Sequence, residues 1–365
     1  MKIKIPLKLR FAFFLHRRFK KNLALIHDLQ YLFWECTLRC NFECIHCGSD
    51  CLKSSDIKDM PIADFIRVID EIKPTVNPNK TMIVFTGGEA LMRNDLEECG
   101  KMLNERGFPW GLVSNGYLLT QKRLESLLSA GMLSITISLD GLNDSHNWLR
   151  NRPDSFEKAI DAIRRINAVP GLTNDVVTCV NQRNISELEA IKQLLLDSGV
   201  TAWRIFSIAP IGRAAHDGRL HLNPEEFLTL MRFMEATRKE GKIKLNFGCG
   251  GFLGEYEGRV RDNLFYCAAG INVGSVLVDG SISACPNLRE NFIQGNIYKD
   301  NFVDVWNNNY KKYRNRSWTK KGMCADCNMY NNCQGNGLHL RDEKTGLVQM
   351  CHLKLIEDAK KLELK

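Results

Sequence analysis

Residues 31–51 read YLFWECTLRCNFECIHCGSDC and hold five cysteines. Only Cys40, Cys44 and Cys47 follow one another at gaps of three and then two residues. A register starting at Cys36 would need cysteine at Glu43, and one starting at Cys47 would need it at Ser54. Three thiolates on one short loop suit three irons of a four-iron cubane, whose fourth iron stays open to a further ligand. A structural zinc ion is the other reading of this loop: it takes four protein ligands, and Cys36 or Cys51 could complete the set. The apolar run Tyr31–Trp34 just ahead of the cysteines reads as a strand.

Outward from this loop the pattern alternates between strands and helices. Further strands are predicted at Met82–Phe85, Leu112–Ser114, Ile135–Leu139, Val176–Val180 and Trp203–Ile208. Between them, Ile62–Lys73, Asp95–Glu105, Gln121–Ala130, Phe156–Ala168 and Ser186–Asp197 carry helical periodicity. Gly131 and Gly199 stand where a helix-terminating glycine belongs. Six strand–helix units in series imply an α/β fold with a parallel sheet, a partial (β/α)6 barrel of the TIM type. After a helix at Pro224–Lys239 the chain becomes glycine- and cysteine-rich, with no sustained period until Lys354–Leu364. Three parts are expected: a basic amphipathic helix in 1–29, the barrel in 30–240, and a loop-rich metal-stapled domain in 241–365.

Thr86-Gly87-Gly88-Glu89 follows the second strand directly. Two glycines permit close approach to the backbone, and a carboxylate can receive an ammonium group. Ser114-Asn115-Gly116 closes the third strand, and the run ISLDG places Ser138 and Asp140 at the end of the fourth. Arg150 follows twelve residues after Ser138. In a parallel barrel the C-terminal strand ends face the active site.

CNFECIHC, TGGEA, SNG, ISLDG and Arg150 together resemble the radical S-adenosylmethionine (SAM) superfamily, in the expected order. The resemblance implies a [4Fe-4S] cluster on Cys40, Cys44 and Cys47 whose open iron chelates the amino and carboxylate groups of SAM. One electron then divides SAM into methionine and a 5′-deoxyadenosyl radical, which abstracts a substrate hydrogen; no catalytic residue beyond that cluster is assigned. By the same resemblance His46 lies near the adenine, and Gly87, Gly88 and Glu89 take the methionine ammonium. Ser138 meets polar atoms of SAM, Arg150 its carboxylate, and Asn115 and Asp140 join the cofactor-binding set. Cys36, Cys51, Cys99 and Cys179 are read as packing residues rather than ligands.

A second set of cysteines lies downstream: Cys267, Cys285, then Cys324-x2-Cys327-x5-Cys333, and Cys351. With Gly280 and Gly295–Asn296 this set resembles the SPASM domain of peptide-modifying radical SAM enzymes, which carries auxiliary [4Fe-4S] clusters. The resemblance gives Cys324, Cys327, Cys333 and Cys351 to auxiliary cluster II, and Cys267 and Cys285 to cluster I, with Cys249 as the upstream candidate. The pattern departs from the family where Gly337 replaces a cysteine. Cluster I is thereby left with an open iron, a substitute ligand such as His339, or a different nuclearity. His46 and Pro286 stand where sulfatase maturases carry Tyr and a catalytic Asp, which argues against that activity.

The resemblance therefore implies a radical SAM oxidoreductase or maturase acting on a peptide or protein, including ribosomally made peptides. The alternatives are the same chemistry on a cofactor precursor such as a modified haem, or a non-catalytic zinc protein. SAM, the substrate, and an electron donor such as flavodoxin or ferredoxin are the expected partners. Only about 30 residues precede the first strand, too few for an autonomous leader-binding core, so leader recognition would fall to a separate protein or to the basic helix.

Composition sets the outer bounds. The chain has 365 residues, 44% hydrophobic and 25% charged, which is ordinary for a globular protein. The longest apolar run, Phe11 to Leu15, is too short to span a membrane or to form a signal-peptide core, so a cytoplasmic location is expected. The net charge of +8 is lodged at one end: residues 1–27 hold eight Lys/Arg and no Asp or Glu. Removing those eight from 50 leaves 42 basic against 42 acidic residues, so the body has no global field for nucleic acid. Leu7, Phe11, Phe14, Leu15, Phe19, Leu23 and Ile26 recur at helical spacing within 7–26. This stripe is expected to dock on the barrel, with an anionic membrane or a partner as the other destinations.

Overall fold

A computed structural model describes Ile3 and residues 5–364; Met1, Lys2, Lys4 and Lys365 lie outside the described residues, and with them two of the eight basic residues counted in 1–27. All six expected strands form: β1 (Tyr31–Thr37), β2 (Met82–Gly87), β3 (Trp110–Ser114), β4 (Met132–Ser138), β5 (Thr173–Val180) and β6 (Ala202–Ser207). They pair in parallel in chain order. The sheet then continues at both edges. β7 (Lys244–Phe247) adds in parallel to β6. β8 (Val273–Val276) adds in parallel to β1, with Tyr31 opposite Val273, and β9 (Ser281–Ser283) and β10 (Gly295–Asn296) follow antiparallel. One ten-stranded sheet thus runs across residue 240, and the cysteine-rich part is hydrogen-bonded to the strand that feeds the first cysteine loop. The fold is the expected partial barrel, extended by this second region.

Apolar side chains on alternate positions of β1–β3 build the centre of the core. The Trp34 ring stacks on Phe65 of the helix Ile62–Ile72 at 4.3 Å, and Phe85 stacks on Trp110 at 5.1 Å. That helix buries Phe65, Ile66, Val68, Ile69 and Ile72 on a single stripe, which is why its period was readable. The helix Pro224–Glu240 starts at a capping box between Asn223 and Glu226 and stops at Gly241, whose φ of +69° is the left-handed region glycine favours. The helix Asn143–Arg150, between β4 and β5, has no apolar period. Its buried face is largely polar, Ser145, His146 and Arg150 with Leu149, and Ser145 donates to Glu187 at 2.5 Å.

The first helix, α1 (Leu7–Ile26), forms as expected but faces the other way. It docks through Phe13, which packs on Phe252 at 5.3 Å, through His16 against the Phe265 carbonyl at 3.1 Å, and through Lys20, which donates to the Asn332 carbonyl at 2.6 Å. The stripe predicted to dock instead points outward: Phe11 is 65% exposed and Ile26 59%, and Leu7, Phe14, Leu15 and Phe19 are also exposed. The physical reason is that two polar side chains meet carbonyls of the cysteine-rich region. Spacing 13-16-20 then sets the docking face, at the expense of the larger apolar one.

Candidate functional site

β1 delivers the chain to the cysteine loop at its C-terminal end, and β2, β3 and β4 end beside it. Cys40, Cys44 and Cys51 are buried, and Cys47 packs against them. The loop is held from the far side by Arg213, which sequence reasoning missed. Its guanidinium donates to the carbonyls of Cys44 at 2.8 Å and Cys51 at 3.1 Å, and pairs with Asp50 at 2.6 Å. Gly212 beside it has φ +56°, and a Cβ there would stand 2.4 Å from the Cys47 carbonyl oxygen. No cysteine or motif spacing marks this clamp in the sequence.

Gly87 and Gly88 serve the same loop. A Cβ on Gly87 would meet the Thr37 carbonyl oxygen at 2.1 Å, and one on Gly88 the Arg39 carbonyl oxygen at 2.2 Å. The close approach these glycines permit is that of β1's own continuation. Gly88 and Glu89 donate their amides to Thr37 and Arg39, tying the second motif to the first. The Glu89 carboxylate, fully buried, accepts from Ser114 Oγ at 2.9 Å, Asn115 N at 2.8 Å and Leu91 N at 3.2 Å. Burial raises its pKa and these donors oppose the rise. A carboxylate has about four lone-pair positions, so one remains for an ammonium group. Asn115 in turn donates to Asn41 at 2.8 Å, next to Cys40.

Asp140 and Arg150 form a buried pair at 2.5 Å, and the Arg150 Nη1 lies 3.8 Å from the Cys44 sulfur. Burial would push the Asp140 carboxyl up, but Arg150, the two neighbouring histidines and the Cys179 amide together hold it below its usual value. Burial, reinforced by Arg150, brings His46 down to about 4 and His146 to about 3, so the arginine alone carries positive charge there. Ser138, at the end of β4, is buried close by.

Five polar atoms around this loop are buried without a hydrogen-bond partner: the nitrogens Arg150 Nε, His46 Nδ1, Asn41 Nδ2 and His146 Nε2, and Asp140 Oδ2, which has only its ion pair with Arg150. The nitrogens fit a polar, carboxylate-bearing ligand such as SAM, because an orphaned buried donor costs about 1–3 kcal/mol until it is paired. The thiols fit iron equally well. Burial pushes Cys40 up to about 12 and raises Cys44 too, so a metal's charge is what would draw their protons off. Cys51 differs: its amide donates to the Cys47 sulfur at 3.4 Å, and its hydrogen bond lowers the Cys47 pKa to about 5.

The downstream cysteines fall into two groups. Cys324, Cys327, Cys333 and Cys351 line one cavity of about 280 Å³. There Arg341 Nη1 lies 3.8 Å from the Cys324 sulfur, and the Asn336 amide donates to Cys333 at 3.1 Å. Cys249 belongs with Cys267 and Cys285: burial raises its thiol pKa, and those two thiols add to the rise. At Gly337, where the expected cysteine is missing, an added Cβ would meet the His339 ring at 2.9 Å and the Gly250 carbonyl at 2.6 Å. The imidazole therefore fills the space a side chain at 337 would enter, against the Gly250 carbonyl. Burial lowers its pKa to about 4, which keeps it neutral. Among the described residues no three of His, Cys, Asp and Glu converge as closely as ligands of a single ion.

Comparison with known proteins agrees with this layout. The radical SAM superfamily profile matches residues 34–195, which contain every candidate SAM contact. The SPASM profile, an iron–sulfur cluster-binding domain, matches residues 267–328. The AdoMet-dependent heme synthase of Methanosarcina barkeri is 25% identical over 86% of this chain and 92% of its own length. The mycofactocin maturase MftC of Mycolicibacterium smegmatis is 26% identical over 83% and 76%. The fold matches that of Streptococcus suis SuiB bound to S-adenosylmethionine, with a TM-score of 0.69 at 16% identity, covering 90% of this chain and 77% of that one. It also matches anSMEcpe with bound AdoMet and a peptide, with a TM-score of 0.70 at 16% identity, covering 92% and 98%. A [4Fe-4S] cluster with SAM and auxiliary iron–sulfur clusters are the cofactors of such proteins. This chain is a radical SAM enzyme that carries a SPASM domain behind its barrel.

Proposed function

We propose that the protein abstracts a hydrogen atom from a peptide or protein, using the radical that its cluster and SAM supply. A [4Fe-4S] cluster bound there would supply the electron that cleaves SAM to methionine and a 5′-deoxyadenosyl radical. In this reading Cys40, Cys44 and Cys47 hold the SAM cluster. Arg150 Nε and Asn41 meet the carboxylate, the free position on Glu89 receives the ammonium, and His46 borders the adenine. The Asp140 carboxylate orients Arg150 rather than touching SAM.

The observation that carries the peptide reading is an open cavity of about 340 Å³ between the two regions. It reaches from Gly48 of the cysteine loop to Asn287, two residues beyond Cys285. Arg289 and Lys344 line it together with Glu290, Asp342 and Glu343. Such a wall of mixed sign suits the alternating donors and acceptors of a peptide better than the flat apolar face of a tetrapyrrole. One observation favours the second reading, a haem precursor: the heme synthase matches over 92% of its length, against 76% for the maturase. The reduced, SAM-supplied enzyme should be offered peptides encoded beside its gene and, in parallel, iron-coproporphyrin. Loss of two hydrogens from a peptide, with the porphyrin unchanged, is the expected outcome. Conversion of the porphyrin alone would overturn the peptide reading.

The auxiliary sites carry their own prediction. Four thiolates around one cavity support a closed cluster II, which needs no nitrogen ligand. At cluster I, His339 supplies the ligand that Gly337 cannot. The reduced cluster I signal is then expected to show a nitrogen hyperfine coupling that His339→Ala removes, with the cluster II signal unchanged. A wild-type spectrum without that coupling would leave cluster I with an open iron.

A further inference from the structure

Two adjoining cavities, of about 530 and 620 Å³, lie between α1 and the segment 311–317. Arg17, Arg18, Lys20, Lys21, Arg314 and Arg316 line them, joined by Lys311, and no described lining residue is acidic. Ion pairs are plentiful elsewhere, yet among the described residues none involves any of these seven cations. Arg316 is 8% exposed, and its Nη1 is buried without a hydrogen-bond partner. A concentration of unpaired positive charge with a deep unsatisfied guanidinium is built for an anionic group. The larger electrostatic fact agrees: this end of the chain holds all of its excess charge.

What lies beneath the groove identifies the partner. The first cavity is lined by both Cys267 and Cys333, one cysteine from each auxiliary set. Each SAM cleavage takes up one electron; a substrate that loses two hydrogens returns one, so when no substrate is present a carrier protein must give up every electron used. We infer that this groove docks an acidic one-electron carrier, a reduced flavin or iron–sulfur protein, which passes its electron in through the auxiliary clusters. The carrier is oxidised by one electron and SAM is reduced by one. Acidic side chains of the carrier enter the two cavities, and the exposed Phe14 at their edge adds apolar contact. A lipid surface fits less well, because Arg316 sits too deep for a plane of headgroups. The α1 helix of a second copy cannot fill the groove, since α1 has no acidic residue.

The inference rests on the radical SAM reading and on the auxiliary clusters standing at Cys267 and Cys333. Cluster absorbance and dithionite-driven 5′-deoxyadenosine formation report on that reading; flavodoxin-driven formation reports on the groove. In the holoenzyme without substrate, Arg17→Glu with Arg18→Glu and Lys21→Glu should lower the flavodoxin-driven rate about ten-fold or more, and leave the dithionite-driven rate unchanged. Lys8→Glu with Arg10→Glu, on the same helix but outside the groove, should leave both rates unchanged. If the triple variant does not fold, salt gives the test on the wild type: only the flavodoxin-driven rate should fall as ionic strength rises. An unchanged flavodoxin-driven rate in a folded triple variant, or a flat salt dependence, overturns the inference. So does a triple variant that loses binding to phosphatidylglycerol vesicles while keeping its flavodoxin-driven rate, which would give the face to lipid.

Discussion

Replacing Cys40, Cys44 and Cys47 together by alanine is expected to reduce 5′-deoxyadenosine formation to background, while Cys36→Ala and Cys51→Ala each retain it. The two control positions are as buried as the three proposed ligands, so burial alone does not separate them. Their surroundings do. The Cys36 thiol donates to the Thr86 carbonyl at 3.3 Å, inside the sheet, and burial pushes its pKa up to about 12. Cys51 supports Cys47, whose sulfur its amide hydrogen-bonds at 3.4 Å. Cys40 and Cys44 bracket the orphaned Asn41 and Arg150 donors, where SAM would meet an open iron. Iron content of the purified variants and product formation by mass spectrometry are the measurements. Wild-type turnover in the triple variant would dismiss the loop as the radical site. A Cys51→Ala variant as dead as the triple one would restore the four-ligand reading of the loop.

The strands and the helices with an apolar stripe were legible because each buries one continuous face, as Ile62–Ile72 does. The helix Asn143–Arg150 was not, because its inward face is made of Ser, His and Arg that pair with Asp140 and Glu187. Hydrophobic periodicity has no purchase on a face held by polar contacts. The orientation of α1 escaped for the same reason: Lys20 and His16 chose the docking side through carbonyls no local pattern reveals. The spacing of the cysteines carried the first loop, because its three members share one short segment. The Arg213 clamp comes from beyond β6 and is joined to that loop only by the closure of the sheet. Asp140 illustrates a third kind of limit. Its position at the end of β4 was readable, but the sequence left its carboxylate between SAM and the cap of the next helix, and it does not cap that helix but pairs with Arg150.

That pair changes what Arg150 substitutions should do. Sequence reasoning expects Arg150→Ala to weaken SAM binding and leave the clusters assembled. With Asp140 fully buried behind it, the same change strands a carboxylate, and Asp140→Ala strands a guanidinium beside Cys44. Each single variant is therefore expected to cost about 3–5 kcal/mol of stability, as breaking one side of a buried pair does. The double variant should cost much less than the sum, because neither charge is left behind. The Asp140 carboxyl is held below its ordinary value. Its contribution is thus present above the unfolded carboxylate pKa and lost only as pH falls through the folded one, so neutral pH is the right place to measure. Arg150→Lys separates the two roles. It keeps a cation opposite Asp140 but removes the orphaned Nε and the second nitrogen facing Cys44. SAM affinity should fall about ten- to a hundred-fold, equivalent to about 1.5–3 kcal/mol, with a stability loss smaller than that of Arg150→Ala. Denaturant unfolding of the four members of the cycle, and calorimetric titration of SAM into Arg150→Lys, are the two measurements. Additive single-variant costs would show that the pair is not coupled, and an Arg150→Lys variant with wild-type SAM affinity would free the guanidinium from any part in binding the cofactor.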